Sequence, residues 1–180
     1  MQKFILVFFY SLISLSGTMK TNVKLRSDEG HIQWLNLTDA TSSLQSQKKP
    51  VLIDLYTDWC SWCKVMDKKT YLNKNVEQYV REKFYAVKVN AESKDALVWA
   101  GKTYQYNRNY KVNDFAVFIT HGQLSFPTTI IIPADGSEPQ AIPGYLETKD
   151  FELIAKYFGE GGYGKIPFDK YQKDFRPTWQ

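Results

Sequence analysis

Val51 to Tyr56, VLIDLY, is a nearly continuous apolar run that follows Pro50 and ends shortly before Cys60 and Cys63, the only two cysteines of the chain. A short run with so little alternation is expected of a strand covered on both faces, the situation of a central strand in a parallel sheet. Asp54 interrupts it, and a carboxylate in such a strand is costly unless its pKa rises or a cation lies beside it. Beyond the cysteines, SWCKVMDKKTY and NKNVEQYVREKF read as helix, with Val76, Tyr79, Val80 and Phe84 near the 3.6-residue period. FYAVKVN, Phe84 to Asn90, alternates as a second strand. Strand, helical crossover and strand form a βαβ unit, so the fold must contain parallel strands with helix packed against them.

The remaining chain supplies the other half of the sheet. From Ala91 to Phe126 runs a long excursion. ESKDALVWAG is compatible with helix, and YQYNRNYK has the composition of a structured loop. Val112, Phe115, Ala116 and Ile119 fit an amphipathic helix that Gly122 ends. PTTIIIPADGSEPQAIPGY reads as strand, Asp135-Gly136 turn and strand. A last helix is expected after Thr148 as N-cap, with Phe151, Ile154, Ala155 and Phe158 on one face and Gly159 as its stop. The order β-α-β, connection, β-β-α predicts an α/β fold with a mixed central sheet flanked by helices and an enlarged helical segment before the Pro127 strand. One domain is expected over residues 17–159. Residues 160–180, Gly-rich and then aromatic and basic, are expected to pack on it as a C-terminal extension.

The first residues, MQKFILVFFYSLISLSGTMK, carry one lysine and then an apolar run from Phe4 to Leu15. That run is shorter than the roughly 20 residues a spanning helix needs, and it matches the apolar core of a secretory signal. Residues 1–16 are therefore expected to be a signal peptide, with Ser14 and Ser16 as the small residues before cleavage; an uncleaved anchor that tethers the domain to the membrane is the alternative. The chain is thus expected to be exported, periplasmic or secreted. A formal charge of +4, with no basic run interleaved with aromatics, points away from nucleic acid.

A lone C-x-x-C pair admits three uses: a redox-active dithiol, half of a metal site, or a small structural disulfide. A structural zinc takes four ligands, and neither His31 nor His121 stands at a partner's spacing. A bridge across so short a loop removes little unfolded-state entropy. Both points favour the redox use without closing the others.

Several placed features resemble the thioredoxin superfamily over roughly Trp34 to Phe158. DWCSWCK follows the first core strand as WCxxCK does in that family, Asp54 stands where it carries a buried acid, and Lys88 where it often carries a lysine. FPTT places Pro127 at the family's cis-proline, and Gly144 falls at a glycine that leaves space beside the active site. The chain departs from small cytosolic thioredoxins in its Ser61-Trp62 dipeptide, its longer segment before Pro127, and the lack of a proline after Cys63. In these respects it is more similar to exported thioredoxin-like domains, including those at the end of transmembrane electron-transfer reductases.

The resemblance implies a mechanism. Cys60, at a helix N-terminus that favours an anion, would be the nucleophile. Cys63, one turn on, would resolve the mixed disulfide, with Asp54 as its base and Lys88 as the partner of that acid. Trp59, Trp62, Phe126 and Pro127 would form the substrate-binding surface, and Gly144 would support it. The redox-active disulfide is then the whole cofactor, with no metal. Protein or peptide disulfides are the implied substrates, and a reductase in an oxidising compartment implies a membrane electron-transfer thiol donor. The competing reading is a non-catalytic thioredoxin-fold binding module with a structural Cys60–Cys63 disulfide.

Overall fold

A computed structural model of the chain describes residues 31–179, so the expected signal peptide over residues 1–16 lies outside the described residues. The central sheet is built around β1 (Val51–Tyr56). β2 (Tyr85–Asn90) runs parallel to it, pairing Val51 with Tyr85 and Asp54 with Lys88. On the other side β7 (Thr128–Ile132) runs antiparallel, pairing Asp54 with Thr129, and β8 (Gln140–Pro143) closes the sheet in the order β2-β1-β7-β8.

The two-residue period of β1 divides the interior. Val51, Ile53 and Leu55 join Val87, Val89, Ile130 and Ile132 in one core, covered by α1 (Leu37–Ser46) and α4 (Asp114–Ile119). Leu52 joins Ala86 and Ile131 in the other, covered by α2 (Ser61–Met66), α3 (Lys74–Lys83) and α5 (Thr148–Gly159). Asp54 has the parity of Leu52 and so faces α2. Burial on both faces is why the strand reads as an apolar run broken only by Asp54, and Met66 at the end of α2 is fully buried against it.

The expected helix after the cysteines is not uniform. α2 passes into a π-helical turn, Asp67–Tyr71, before Asn73 caps α3 through its side-chain oxygen. The widened turn carries Thr70 and Tyr71 inward: Thr70 Oγ1 donates to the Leu146 carbonyl at 2.6 Å, and the Tyr71 ring stands edge-on to Trp34 and Phe151.

The segment between β2 and β7 is enlarged, but helix is confined to its end. Where ESKDALVWAG suggested helix, β3 (Leu97–Trp99) and β4 (Lys102–Tyr104) form a hairpin. Its turn residues Ala100 and Gly101 both have positive φ, 48° and 76°, the conformation of a two-residue hairpin turn. Trp99 and Tyr104 pack on Phe115, a tertiary gain that overrides the helical propensity of the preceding residues. YQYNRNYK is likewise a hairpin, β5 (Tyr106–Asn107) with β6 (Val112–Asn113). Val112 therefore lies on a strand, not on the helix. α4 starts after Asn113, whose Oδ1 accepts the Phe115 N–H at 3.0 Å.

The β7–β8 hairpin turns at Gly136, φ 77°, where Asp135 Oδ1 accepts both the N–H and the hydroxyl of Ser137. α5 has Glu147 as N-cap rather than Thr148, a displacement of one residue. The tail then forms α6 (Phe168–Asp174), which packs Phe168 and Tyr171 on Tyr157 of α5. It ends on Glu152, a fully buried carboxylate of α5. Glu152 accepts from Lys156 Nζ (2.6 Å), Thr178 Oγ1 (2.6 Å), and the N–H groups of Thr178 and Trp179 (2.8 Å each). Trp179 in turn meets Tyr79 of α3 at 5.2 Å. Burial pushes the Glu152 carboxyl up, but Lys156 and the tail donors outweigh it and hold the group below the usual carboxylate range. Its contribution is therefore present at neutral pH and is lost as pH falls through the lowered pKa. Glu152→Ala should cost roughly 2–4 kcal/mol in denaturant unfolding at pH 7 and speed exchange of the Thr178 and Trp179 amides. Unchanged stability and exchange would mean that the carboxylate does not hold the tail.

Candidate functional site: a disulfide framed by aromatics over a buried acid

Cys60 is the N-cap of α2 and is joined to Cys63 by a disulfide, their Cα atoms 5.3 Å apart. The Cys63 N–H donates to Cys60 Sγ at 3.0 Å, so the first cysteine already satisfies one of the free donors of the helix start. Both cysteines are almost wholly buried, at 4% exposure, whereas the tryptophans immediately before them are open, Trp59 at 67% and Trp62 at 58%. Helical geometry accounts for the contrast: Cys63 and Met66, three apart, face the sheet, and Trp62 points away.

Each tryptophan meets a second ring from the far half of the sheet. Trp59 stands edge-on to Phe126, centroids 6.0 Å apart, and its Nε1 donates to Glu92 Oε1 at 3.1 Å. Trp62 lies tilted against Tyr145 at 5.3 Å. The Phe126–Pro127 peptide is cis, and the Pro127 carbonyl accepts the Gly144 N–H at 2.8 Å. Gly144 follows β8 rather than lying within it. Its φ of 97° is a backbone conformation that favours glycine, and a Cβ there would meet no atom within 4 Å, so the space beside it is open.

Beneath α2 lies Asp54, 2% exposed. Lys88, its neighbour across the β1–β2 ladder, places Nζ 3.2 Å from Asp54 Oδ2 and also bonds Asp67 of the π turn. Asp54 Oδ1 has no hydrogen-bond partner among the described residues. The Tyr71 hydroxyl lies near Asp54 and Thr129, close enough to perturb the acid without forming a well-directed hydrogen bond. Burial pushes Asp54 up to about 6 against the pull of Lys88. Burial lowers the Lys88 ammonium, but Asp54 and Asp67 more than offset this and leave it above its ordinary value. Tyr71, wholly enclosed and next to Asp54, is raised well above a free phenol. An acid that holds a proton near neutrality can accept one from a neighbouring group and return it, which an acid at its ordinary value does poorly.

The structure thus brings Cys60, Cys63, Trp59, Trp62 and Phe126 to one surface, with Pro127 and Gly144 joined behind it and Asp54 and Lys88 below. Reading the sequence missed Asp67, Tyr71, Trp34 and Tyr145. Asp67 was accessible in principle, being four residues after Cys63 on the same helix face; the π turn hides Tyr71 from any regular spacing. His31 is bonded to Glu77 at 2.8 Å, and among the described residues no cluster of His, Cys, Asp or Glu is arranged for a metal.

Comparison with known proteins agrees with this geometry. The family model described as "Thioredoxin-like domain" matches residues 37–159. A thiol:disulfide interchange protein DsbD from Pectobacterium atrosepticum is 33% identical over 128 residues, 68% of this chain and 19% of the relative. The Escherichia coli K12 protein of the same name is 26% identical over 110 residues, 60% of this chain and 16% of the relative. The chain therefore spans less than a fifth of the length of these relatives. Among solved structures, a thioredoxin-fold protein from Helicobacter pylori superposes with a TM-score of 0.55 at 20% identity, covering 76% of this chain and 91% of that one. The DsbH oxidoreductase gives 0.52 at 16%, covering 72% and 85%. Matched by the family model over most of its length and sharing the fold of these structures, the chain belongs to the thioredoxin superfamily.

Proposed function

We propose that this protein is an exported thiol-disulfide oxidoreductase that reduces or isomerises disulfides of proteins or peptides through Cys60 and Cys63. The observation that carries the reading is Asp54, a carboxylate buried under the cysteine helix with one oxygen unbonded and its pKa lifted to about 6. The thiol:disulfide interchange relatives support the reaction class, and the apolar run from Phe4 to Leu15 supports export.

In the reduced protein, Cys60 at the start of α2 loses its proton most readily, because the free N–H groups there stabilise a thiolate. Its sulfur attacks one sulfur of the substrate disulfide; that S–S bond breaks, a mixed disulfide forms, and a substrate thiolate leaves. Cys63 then passes its proton to Asp54 and attacks Cys60 Sγ. The second substrate thiolate departs, the Cys60–Cys63 bond closes, and two electrons have moved to the substrate. Lys88 keeps Asp54 partly ionised, so that the carboxylate is present to take the proton. Trp59, Phe126, Trp62 and Tyr145 offer apolar contact on either side of the sulfurs, with Pro127 behind. Renewed reduction requires a dithiol donor, which for an exported domain places the donor at the membrane.

Replacing Cys63 with Ser should trap substrates on Cys60 as mixed disulfides that reductant releases; a variant that traps nothing would leave the pair as a bridge and the domain as a binding module. Equilibration of the wild-type couple with glutathione should give a potential near the thioredoxin value of about −270 mV, and a value near −120 mV would reverse the direction to oxidation. Asp54→Asn should slow release of the mixed disulfide at least tenfold at pH 7, with little effect on its formation. The same variant tests the stability cost. A folded pKa above the unfolded 3.8 means that the native state binds the proton more tightly. Stability is therefore lost as pH rises from about 4 through about 6. Asp54→Asn should be more stable than wild type by about 1–3 kcal/mol at pH 7.5 and equal to it at pH 4. Lower stability at pH 7.5 would make Asp54 a structural ion-pair partner.

A further inference from the structure

Lys88 is enclosed on more sides than its two carboxylates account for. Three aromatic rings face its Nζ: Tyr56 of β1 at 5.2 Å from the centroid, Trp34 at 5.4 Å and Tyr71 of the π turn at 5.9 Å. An ammonium carries three protons, and here it meets the acids Asp54 and Asp67 and, beside them, the electronegative faces of three rings. Two of the rings stand on elements that already build the site. Trp34 comes from outside them, in the segment ahead of α1.

Its position follows from the sheet edge. The Leu35 N–H donates to the Ala86 carbonyl at 2.8 Å, and Leu35 bridges Val87 in parallel, extending the sheet beyond β2 by one residue. Alternation then sends Leu35 to the α1 side and Trp34 to the cysteine side, each joining the corresponding core. There Trp34 also stands edge-on to Tyr71, centroids 5.1 Å apart, so one ring braces both the lysine and the phenol that surround Asp54.

We propose that Trp34 is a positioning residue of the redox site: it walls Lys88 against Asp54 and so sets the pH at which Asp54 ionises beneath Cys63. This rests on the reading of Asp54 as the proton acceptor. Lys88 is one-quarter exposed and Asp67 more so, at 24% and 42% of their side chains. Without the ring, the ammonium follows Asp67 outward and Asp54 loses its nearest cation while remaining buried. The charged and titratable groups that act on Asp54 are few: Lys88 from β2, Asp67 and Tyr71 from the π turn, and Tyr56 from its own strand. Thr129 of β7 adds an uncharged hydroxyl. Of these Lys88 is the sole cation, so moving it must favour the protonated acid.

The test is a pH titration of the Asp54 carboxyl carbon by NMR in the oxidised, full-length protein, a readout that needs no substrate. Trp34→Leu should raise the midpoint by about 0.5 pH unit or more, a threefold change in the ionisation constant. Trp34→Phe, a ring with a weaker face, should raise it by less. In a Lys88→Met background, Trp34→Leu should add nothing, because the tryptophan acts through the lysine. An unmoved midpoint, or an equal shift without Lys88, overturns the proposal. Should Trp34→Leu not fold, Trp34→Phe carries the test, and an unmoved midpoint in that variant overturns it equally. Failure of the underlying reading looks different: Asp54→Asn would then release mixed disulfides at the wild-type rate although Trp34 still governs the titration.

Discussion

A single strand covered on both faces organises this domain, and the same strand carries a carboxylate. β1 has β2 and β7 as neighbours and helices on either side, so Asp54 cannot reach water by a rotamer change. Everything polar around it answers that constraint. Lys88 stands beside it in the ladder, Asp67 balances the lysine from the π turn, and three aromatic rings pack around the ammonium. The cost of burial is thereby reduced without being removed, and the residue of that cost is the raised pKa.

The parts that could be read in the sequence are those set by local rules. The apolar run of β1, the βαβ order, the Asp135-Gly136 hairpin and the last amphipathic helix all follow from periodicity and turn chemistry, and the structure has each of them. The hairpin of β3 and β4 was not legible because Ala100 is a poor advertisement for positive φ, and because ESKDAL has helical propensity that packing of Trp99 and Tyr104 on Phe115 overrules. Asp54 was legible because it breaks an apolar run, and Lys88 because a family pattern pointed to it. Tyr71 was not, since a π turn shifts it off the helical period, and Trp34 was not, since a single bridged residue at the sheet edge leaves no pattern to read.

The π turn connects these misses. With regular helix from Ser61 to Tyr71, residues spaced by four would share a face, and Asp67 and Tyr71 would stack along it. The wider turn separates their tasks: Asp67 reaches the lysine from a half-buried position, while Tyr71 enters the core between Trp34 and Phe151. π turns recur at functional sites for this reason, since an inserted residue redirects side chains that a regular helix would leave aligned.

The domain contains a second buried carboxylate, and the contrast between the two separates structure from chemistry. Glu152 is fully buried, yet four donors converge on its two oxygens and its pKa falls. Such a group is fully ionised at neutral pH and has no spare valence, so its work is to hold the tail. Asp54 is as deeply buried, but it has one cation, one oxygen without a partner, and a pKa that rises into the range where protons are exchanged. An acid whose pKa is raised by burial costs stability when it ionises, and such groups cluster where protons are exchanged. Its position below the only two cysteines, with the lysine able to adjust its charge, makes proton exchange with Cys63 the use that the geometry supports best.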